Sequence, residues 1–334
     1  MSTVSVLPKG TGIVRYLRCL AMNEGRITSA VDQAEQYRDT PAVGLTLKAI
    51  VNPMLANGNP LSAYGLAQEF FELYRSASLV GRLMGFFRPA VFKTLMPVEE
   101  DSLSNPAWIP EAGMIPVRAF RFDQTYIDPF LMGMITVVSK QLLARSTPSA
   151  DSIVRRILVS AAAKFVDSEF LSTSEPEAGV SPGGVCYGAQ THSTTGSTAA
   201  AIAADLSSMA AKLETWAYPI WAMKPKTFST LAAYKLIEFL PGGPLLCGFP
   251  VFHTQASPAQ IALVDAGSIL LADEGASTID YADEASITMG DGGSPESERA
   301  LSLYNSDLAA FRVERQISWQ RPNSGSAVSM AVNY

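Results

Sequence analysis

Apolar positions recur with helical spacing in several separate stretches of the chain. Two short amphipathic segments cover residues 13–21 and 27–34, and a longer segment covers 61–75. The longest begins at Pro148, where Thr147 can cap it, and would hold about 22 residues and span roughly 33 Å. Its apolar stripe predicts one broad packing face and comprises Ile153, Ile157, Ala161 and Phe165, widened by Val154, Leu158 and Ala162. Further helices are predicted over 199–213 and from Pro225 onward.

Between the helices, the pattern changes to an alternation with a period of two, which is typical of strands. One predicted strand includes residues 92–96 and a second covers 115–122, joined by an irregular loop around Trp108. An apolar run then extends to Val138, and further strands are predicted at 246–251 and 308–332. Because an isolated hairpin is only marginally stable in water, we expect this one to lie on a neighbouring subunit.

The composition is apolar, with 48% hydrophobic and 17% charged residues. This balance suits a protein that buries much of its surface against copies of itself, although a monomer with a large core would also explain it. Residues 265–300 carry nine acids and one base, a charge of −8 within a chain total of −6. We expect these acids to lie mostly on solvated surface, where they either repel nucleic-acid phosphates or confer solubility.

The sequence offers little catalytic chemistry. The three cysteines are far apart, and neither His192 nor His253 has a companion at metal-ligand spacing. There is no phosphate-binding loop and no nucleophile elbow. No signal peptide, membrane span or block of basic residues is visible. We therefore expect no enzymatic activity, cofactor, metal or membrane partner, and a hydrolase acting through either histidine is the remote alternative.

The order of four motifs carries a family resemblance. An extended loop holds Trp108 and Glu111, an apolar strand follows, Ser139-Lys140-Gln141-Leu142-Leu143 forms a turn, and the long helix ends at Asp167 to Leu171. This order resembles the core signature of tailed-phage major capsid proteins with the Hong Kong-97-type fold, over roughly residues 60–334. The resemblance implies an α+β fold.

The resemblance also implies a division of the chain into five ranges. These are an N-terminal arm (1–88), an extended loop (89–125), a peripheral domain with the spine helix (126–190), an axial domain (191–298) and a return to the peripheral domain (299–334). Side chains implied as assembly contacts are Phe70, Tyr74, Trp108, Glu111, Phe120 and Phe122.

The implied function is self-assembly, through pentamers and hexamers, into an icosahedral phage head that encloses double-stranded DNA without reading its sequence. Portal, protease, scaffold or decoration proteins are further implied partners, with assembly in the host cytoplasm and residence in the virion. An encapsulin-like cargo compartment is the alternative within this fold. Some relatives join a loop lysine to an asparagine of a neighbouring subunit. Since no lysine lies between Thr94 and Ser139, cross-links are not expected here, and Lys93 and Asn305 are the nearest candidates.

Overall fold

The computed structural model of the chain describes residues 11–23, 26–37, 39–51, 72–94, 96–99, 108–109, 122–141, 148–258, 260–289 and 299–332. Residues 72–77 are helical and are separated from the fourth helix by Ser78, the N-cap residue of that helix, whose backbone is extended. The helices within this part of the chain are α1 (Thr11–Met22), α2 (Ile27–Ala34), α3 (Pro41–Val51), α4 (Leu79–Leu83), α5 (Pro148–Phe170), α6 (Ala199–Lys212) and α7 (Pro225–Ala233).

The strands are mostly short, but three of them are long and lie side by side. They are β1 (Arg88–Ala90), β2 (Met96–Glu99), β3 (Phe122–Thr125), β4 (Phe130–Ser139), β5 (Gln190–His192), β6 (Pro219–Met223), β7 (Ile237–Leu240), β8 (Gly243–Leu246), β9 (Phe249–His253), β10 (Gln260–Asp265), β11 (Leu270–Ala282), β12 (Ser286–Met289), β13 (Arg299–Ser302), β14 (Leu308–Gln320) and β15 (Ala327–Ala331).

Two sheets organise the described part of the chain. A four-stranded sheet has the order β1-β11-β14-β4, and a seven-stranded sheet has the order β5-β15-β10-β6-β9-β8-β7. Two small ribbons pair β2 with β3 and β12 with β13. The predicted ranges 191–298 and 299–334 each contribute strands to both sheets, because β11 pairs with β14 whereas β15 pairs with β10.

Three hydrophobic clusters hold helices on these sheets. The first joins α4 and the C-terminal half of α5 to strands of both sheets, and includes Phe170 and Trp319. The second packs α1, α2 and α3 on β14 around Phe311. The third packs α6 and α7 on the seven-stranded sheet around Trp221. Because the first cluster draws on both sheets, α5 is the element that ties them together.

The predicted helices at 13–21, 27–34, 199–213 and Pro225 are confirmed by α1, α2, α6 and α7, and α5 begins at Pro148 as predicted. The packing face predicted for α5 is confirmed at Ala162, which is buried, but it was wrong for the large residues of the stripe. The side chains of Val154 and Leu158 lie outside the description. Ile153, Ile157 and Phe165 are 41%, 51% and 51% exposed. The buried face is Val159, Ala162, Ala163, Val166 and Phe170, a set that keeps the three- and four-residue spacing of a helix stripe.

Three strand predictions also need correction. Residues 92–94 form a turn with Lys93 at a φ of 56°, so the strand begins only at Met96. The segment 246–251 is a hairpin, with Cys247 and Gly248 both at positive φ in its two-residue turn. The segment 308–332 is two strands, because a short 3₁₀ turn at Ser324–Ser326 carries the chain from one sheet to the other.

Candidate assembly surface

The hairpin that carries Trp108 is anchored at its base by β2 and β3, which pair from Met96 opposite Thr125 to Glu99 opposite Phe122. The Thr125 hydroxyl donates to Gln320 at the end of β14, 2.9 Å away, which fixes this base to the four-stranded sheet. Trp108 is fully exposed and Ile109 is 40% exposed. Among the residues that the structure describes, the Trp108 indole has no packing partner, and an exposed aromatic side chain of this kind is a favoured contact for another molecule.

The other predicted contact residues fall in different places. Phe70, Glu111 and Phe120 lie outside the described residues, and Phe122 is described only as part of β3. Tyr74 is 2% exposed, with its ring 4.8 Å from the Arg315 guanidinium, and burial raises the pKa of its phenol to about 12. The prediction of Tyr74 as an assembly contact is therefore corrected, because its side chain is core.

A second exposed apolar surface runs along α5. Three large apolar side chains are about half exposed on one face of the helix. We call these residues, Ile153, Ile157 and Phe165, the outer stripe. Between Ile153 and Phe165 the stripe covers about 18 Å of helix. The three residues thus form one aligned apolar face and not a scatter of single exposed residues.

The outer stripe ends at a cavity of about 430 Å³ between α5 and the four-stranded sheet. Phe165 forms one wall of the cavity, and the remaining apolar lining includes Leu131, Met132, Val180, Ile317 and Trp319. Leu131 and Val180 are 58% and 60% exposed, so the cavity is open to solvent. The apolar surface thus continues from the helix onto the edge strand β4.

Asp167, in the last turn of α5, connects three parts of the fold. Its buried carboxylate accepts hydrogen bonds from the Ser78 hydroxyl at 2.7 Å and from the Leu79 backbone N–H at 2.8 and 2.9 Å. It also accepts from the Thr254 hydroxyl at 2.9 Å, after β9. A carboxylate at the N-terminus of α4 satisfies donors that a helix leaves unpaired. The sequence pointed to Asp167 through its motif but not to these partners.

A buried ion pair reinforces the four-stranded sheet. Arg315 on β14 donates to both carboxylate oxygens of Asp273 on β11, with its Nε 3.1 Å from Oδ1. The pair lies where the register between β11 and β14 shifts, between Asp273 and Ser277. Both side chains are largely buried, at 3% and 9% exposure, so each charge depends on the other.

Both histidines make contacts within the fold. His192 Nε2 lies 3.1 Å from Asp205, which also accepts from the Thr195 N–H and hydroxyl. Burial alone would raise the pKa of Asp205, but hydrogen bonds from Thr195 and His192 outweigh it and lower that pKa. The arrangement holds the loop before α6. His253 packs against Phe228 with ring centroids 5.1 Å apart.

Comparison with known proteins decides the family. The sequence model of the Phage capsid family matches residues 66–315, which is most of the chain. The chain belongs to the phage capsid family. The capsid polyprotein of Pseudomonas phage PAJU2 is 26% identical over 352 aligned residues, covering 94% of the chain and 52% of the relative. The chain thus spans about half the length of this curated relative.

Solved structures agree on the fold. A structure from Microbacterium phage Oxtober96 covers 77% of the chain and 91% of its own at 14% identity, with a TM-score of 0.53. One from Mycobacterium phage Bobi covers 75% and 90% at 14% identity, with a TM-score of 0.52. The α+β, Hong Kong-97-type fold expected from the motifs is therefore confirmed. As a capsid protein, the chain is a structural component of the virion.

The acidic segment of this capsid protein is less solvated than the sequence suggested. Asp265 is fully buried and accepts from the Tyr218 N–H at 2.6 Å. Asp273 is held by Arg315, and Asp283 pairs with Lys140 at 3.0 Å. Glu284 is exposed, whereas the side chains of the other five acids lie outside the description. At least three of the nine acids therefore serve the fold instead of a free surface.

The residues nearest to a cross-linking role sit on exposed turns. Lys93 follows β1, and Asn305 lies between β13 and β14.

In the described residues there is no group of three or more histidine, cysteine or carboxylate side chains that would hold a metal ion. The described helices include none that is long and apolar enough to cross a membrane.

Proposed function

We propose that this capsid protein assembles, through pentamers and hexamers, into an icosahedral head that encloses double-stranded DNA. The observation that carries the proposal is the pair of unpartnered apolar surfaces, Trp108 at the hairpin tip and the outer stripe of α5. Burying apolar surface drives association at roughly 25 cal/mol per Å². A single chain leaves both surfaces in water, whereas copies arranged head to tail would cover them in a closed ring.

The hairpin is the element we assign to the neighbouring subunit. Its base is fixed on the four-stranded sheet through Thr125, and residues 100–121 separate the two paired strands. Half of this segment is about eleven residues, which reach about 36 Å when extended. That length is enough for the loop to leave the parent subunit. Phe70, Glu111 and Phe120 remain proposed contacts of the same assembly, as does Phe122.

The ranges predicted from the family resemblance describe the proposed subunit in the shell. Residues 1–88 would form the arm, 89–125 the extended loop, and the two sheets the cores of the peripheral and axial regions. Assembly in the host cytoplasm, with portal, protease, scaffold or decoration proteins as partners, completes the proposal. The family match supports a phage head over an encapsulin-like compartment.

Size-exclusion chromatography with light scattering tests the proposal on the purified chain under assembly conditions. The expected result is a species of shell mass in equilibrium with capsomers. A folded chain that remains monomeric at every concentration and salt tested would contradict it.

A further inference from the structure

A cleft of about 590 Å³ separates the middle and the C-terminal part of α5, residues 156–167, from α4 and the loop after β9. It lies apart from the apolar cavity, and its chemistry is different. Three of its lining side chains are cationic: Arg82 on α4, and Arg156 and Lys164 on α5. All three side chains are exposed. The fold brings Arg82 to the same cleft as Arg156 although 74 positions separate them in the sequence. No run of basic residues in the sequence predicts this site.

The positive charge of the cleft is not neutralised within the described part of the chain. The ion pairs found among the described residues include neither Arg82 nor Arg156 nor Lys164. The one carboxylate in the lining, Asp167, already accepts hydrogen bonds from α4 and Thr254. With histidine neutral, three cations and one anion leave the lining with a formal charge of +2.

Arg82 is held in place for a ligand. Its Nε donates to the Ser78 carbonyl at 3.4 Å and its Nη2 donates to the His253 carbonyl at 3.3 Å. Its guanidinium also lies 5.5 Å from the centroid of the Phe252 ring. These contacts fix the cation at one end of the cleft and reduce the side-chain entropy lost on binding. Arg156 and Lys164 stand about 12 Å apart along α5.

We propose that this cleft binds the phosphate backbone of nucleic acid without reading its sequence. The proposal rests on the proposed function, in which the shell encloses double-stranded DNA, and assigns the contact to particular side chains. Lysine and arginine heads are the groups that neutralise phosphates, each with release of counterions. The apolar residues of the lining offer no anchor of their own, because Val159 and Ala163 are small and buried.

An acidic protein segment is the competing anion, and the chain has one at 265–300. Three acids of that segment are already occupied, since Asp265 is buried, Asp273 pairs with Arg315 and Asp283 pairs with Lys140. If residues 265–300 of a neighbouring copy bound in the cleft, either the contacts of these three acids would break or only the remaining acids could bind. This observation favours phosphate as the ligand.

A salt titration of a short random-sequence DNA duplex against the unassembled full chain tests the proposal. Arg156→Ala with Lys164→Ala should weaken binding and flatten the plot of log affinity against log salt by ~1.8, for two lost phosphate contacts. Arg156→Ala alone should flatten it by ~0.9. The exchange Arg156→Lys with Lys164→Arg keeps both charges and should retain the wild-type slope.

Lys212→Ala with Arg312→Ala is the matched control, because it removes two positive charges from residues that do not line the cleft. If the cleft variant and this control have the same slope, or if the wild-type chain binds no duplex at low salt, the proposal is wrong. It is equally wrong if the cleft variant loses affinity only for a peptide of residues 283–298. Shell formation is measured separately, so a failure of assembly leaves the titration readable.

Discussion

At the scale of single residues, the same residue type serves opposite purposes in this chain. Trp319 is 6% exposed and its Nε1 donates to the Gly183 carbonyl at 2.8 Å, whereas Trp108 is fully exposed. The sequence around Trp108 pointed to a contact residue through the family motif. It could not separate the buried Tyr74 from the exposed Trp108, because Tyr74 packs against Arg315, which is distant in the chain.

The first prediction contrasts these two tryptophans. Trp108→Ala should leave the thermal unfolding of the unassembled chain unchanged and reduce assembly, since an aromatic anchor is worth ~2 kcal/mol or more at an interface. Trp319→Ala should instead destabilise the fold by about 3–5 kcal/mol, because it empties a packed core. Calorimetry and light scattering provide the two readouts. A loss of thermal stability in Trp108→Ala with normal assembly would place that residue in the core.

The second prediction concerns Asp265. Burial alone would raise its pKa, but hydrogen bonds from the Ser268 hydroxyl and from the backbone N–H groups of Tyr218 and Ala217 outweigh burial and lower it. A carboxyl whose pKa is lower in the folded state stabilises the fold above the ordinary carboxyl pKa, near 3.9. That stabilisation is lost as the pH falls further, through the folded-state pKa.

Asp265→Asn should therefore lower the melting temperature near neutral pH and flatten its fall below about pH 4. Asp128→Asn, at an exposed position, is the control and should keep the wild-type profile. Melting temperatures measured across acidic and neutral buffers supply the test. If Asp265→Asn and the wild type show parallel profiles, the carboxylate of Asp265 does not contribute in this way.

At the scale of elements, the helices were predictable because the spacing of their apolar residues can be read from a short stretch of sequence. The face that α5 buries was not. Two sets of apolar residues lie on this helix. The prediction placed the set with the larger side chains, Ile153, Ile157 and Phe165, on the packing face. The structure buries the set with alanines, Ala162 and Ala163, since small residues allow the helix to approach its neighbours closely. The larger side chains remain about half exposed.

The third prediction tests this assignment of the two faces. Ile157→Lys should leave the unassembled chain folded, because the side chain is half exposed, and should block assembly by placing a charge in an apolar interface. Ser208→Lys, on the exposed side of α6, is the matched control and should assemble normally. If Ile157→Lys assembles as well as the control, the outer stripe faces solvent in the shell.

At the scale of the whole molecule, the order of motifs was enough to predict the family and the fold, which the family match and the phage structures confirm. The course of the chain through the sheets was not predictable. β11 and β14 pair although 26 positions separate Ala282 from Leu308, and β15 crosses to the other sheet. Such non-local pairing leaves no periodic signal in the sequence.

The fourth prediction is that mature particles lack covalent links between subunits. The hairpin between Thr94 and Ser139 contains no lysine that could donate to an asparagine. Boiled and reduced particles should run on a denaturing gel as a subunit band, without higher multiples. A ladder that resists heat and reductant would instead direct attention to Lys93 and Asn305.

The central claim is that the outer stripe of α5 and the hairpin tip at Trp108 are covered by neighbouring copies in a closed shell. Electron cryomicroscopy of the assembled full chain tests this most directly. The account predicts closed icosahedral particles in which residues 100–121 cross onto an adjacent subunit and Ile157 is buried between copies. Shells in which Trp108 packs on its own subunit and the outer stripe faces solvent would contradict it, as would the absence of closed particles.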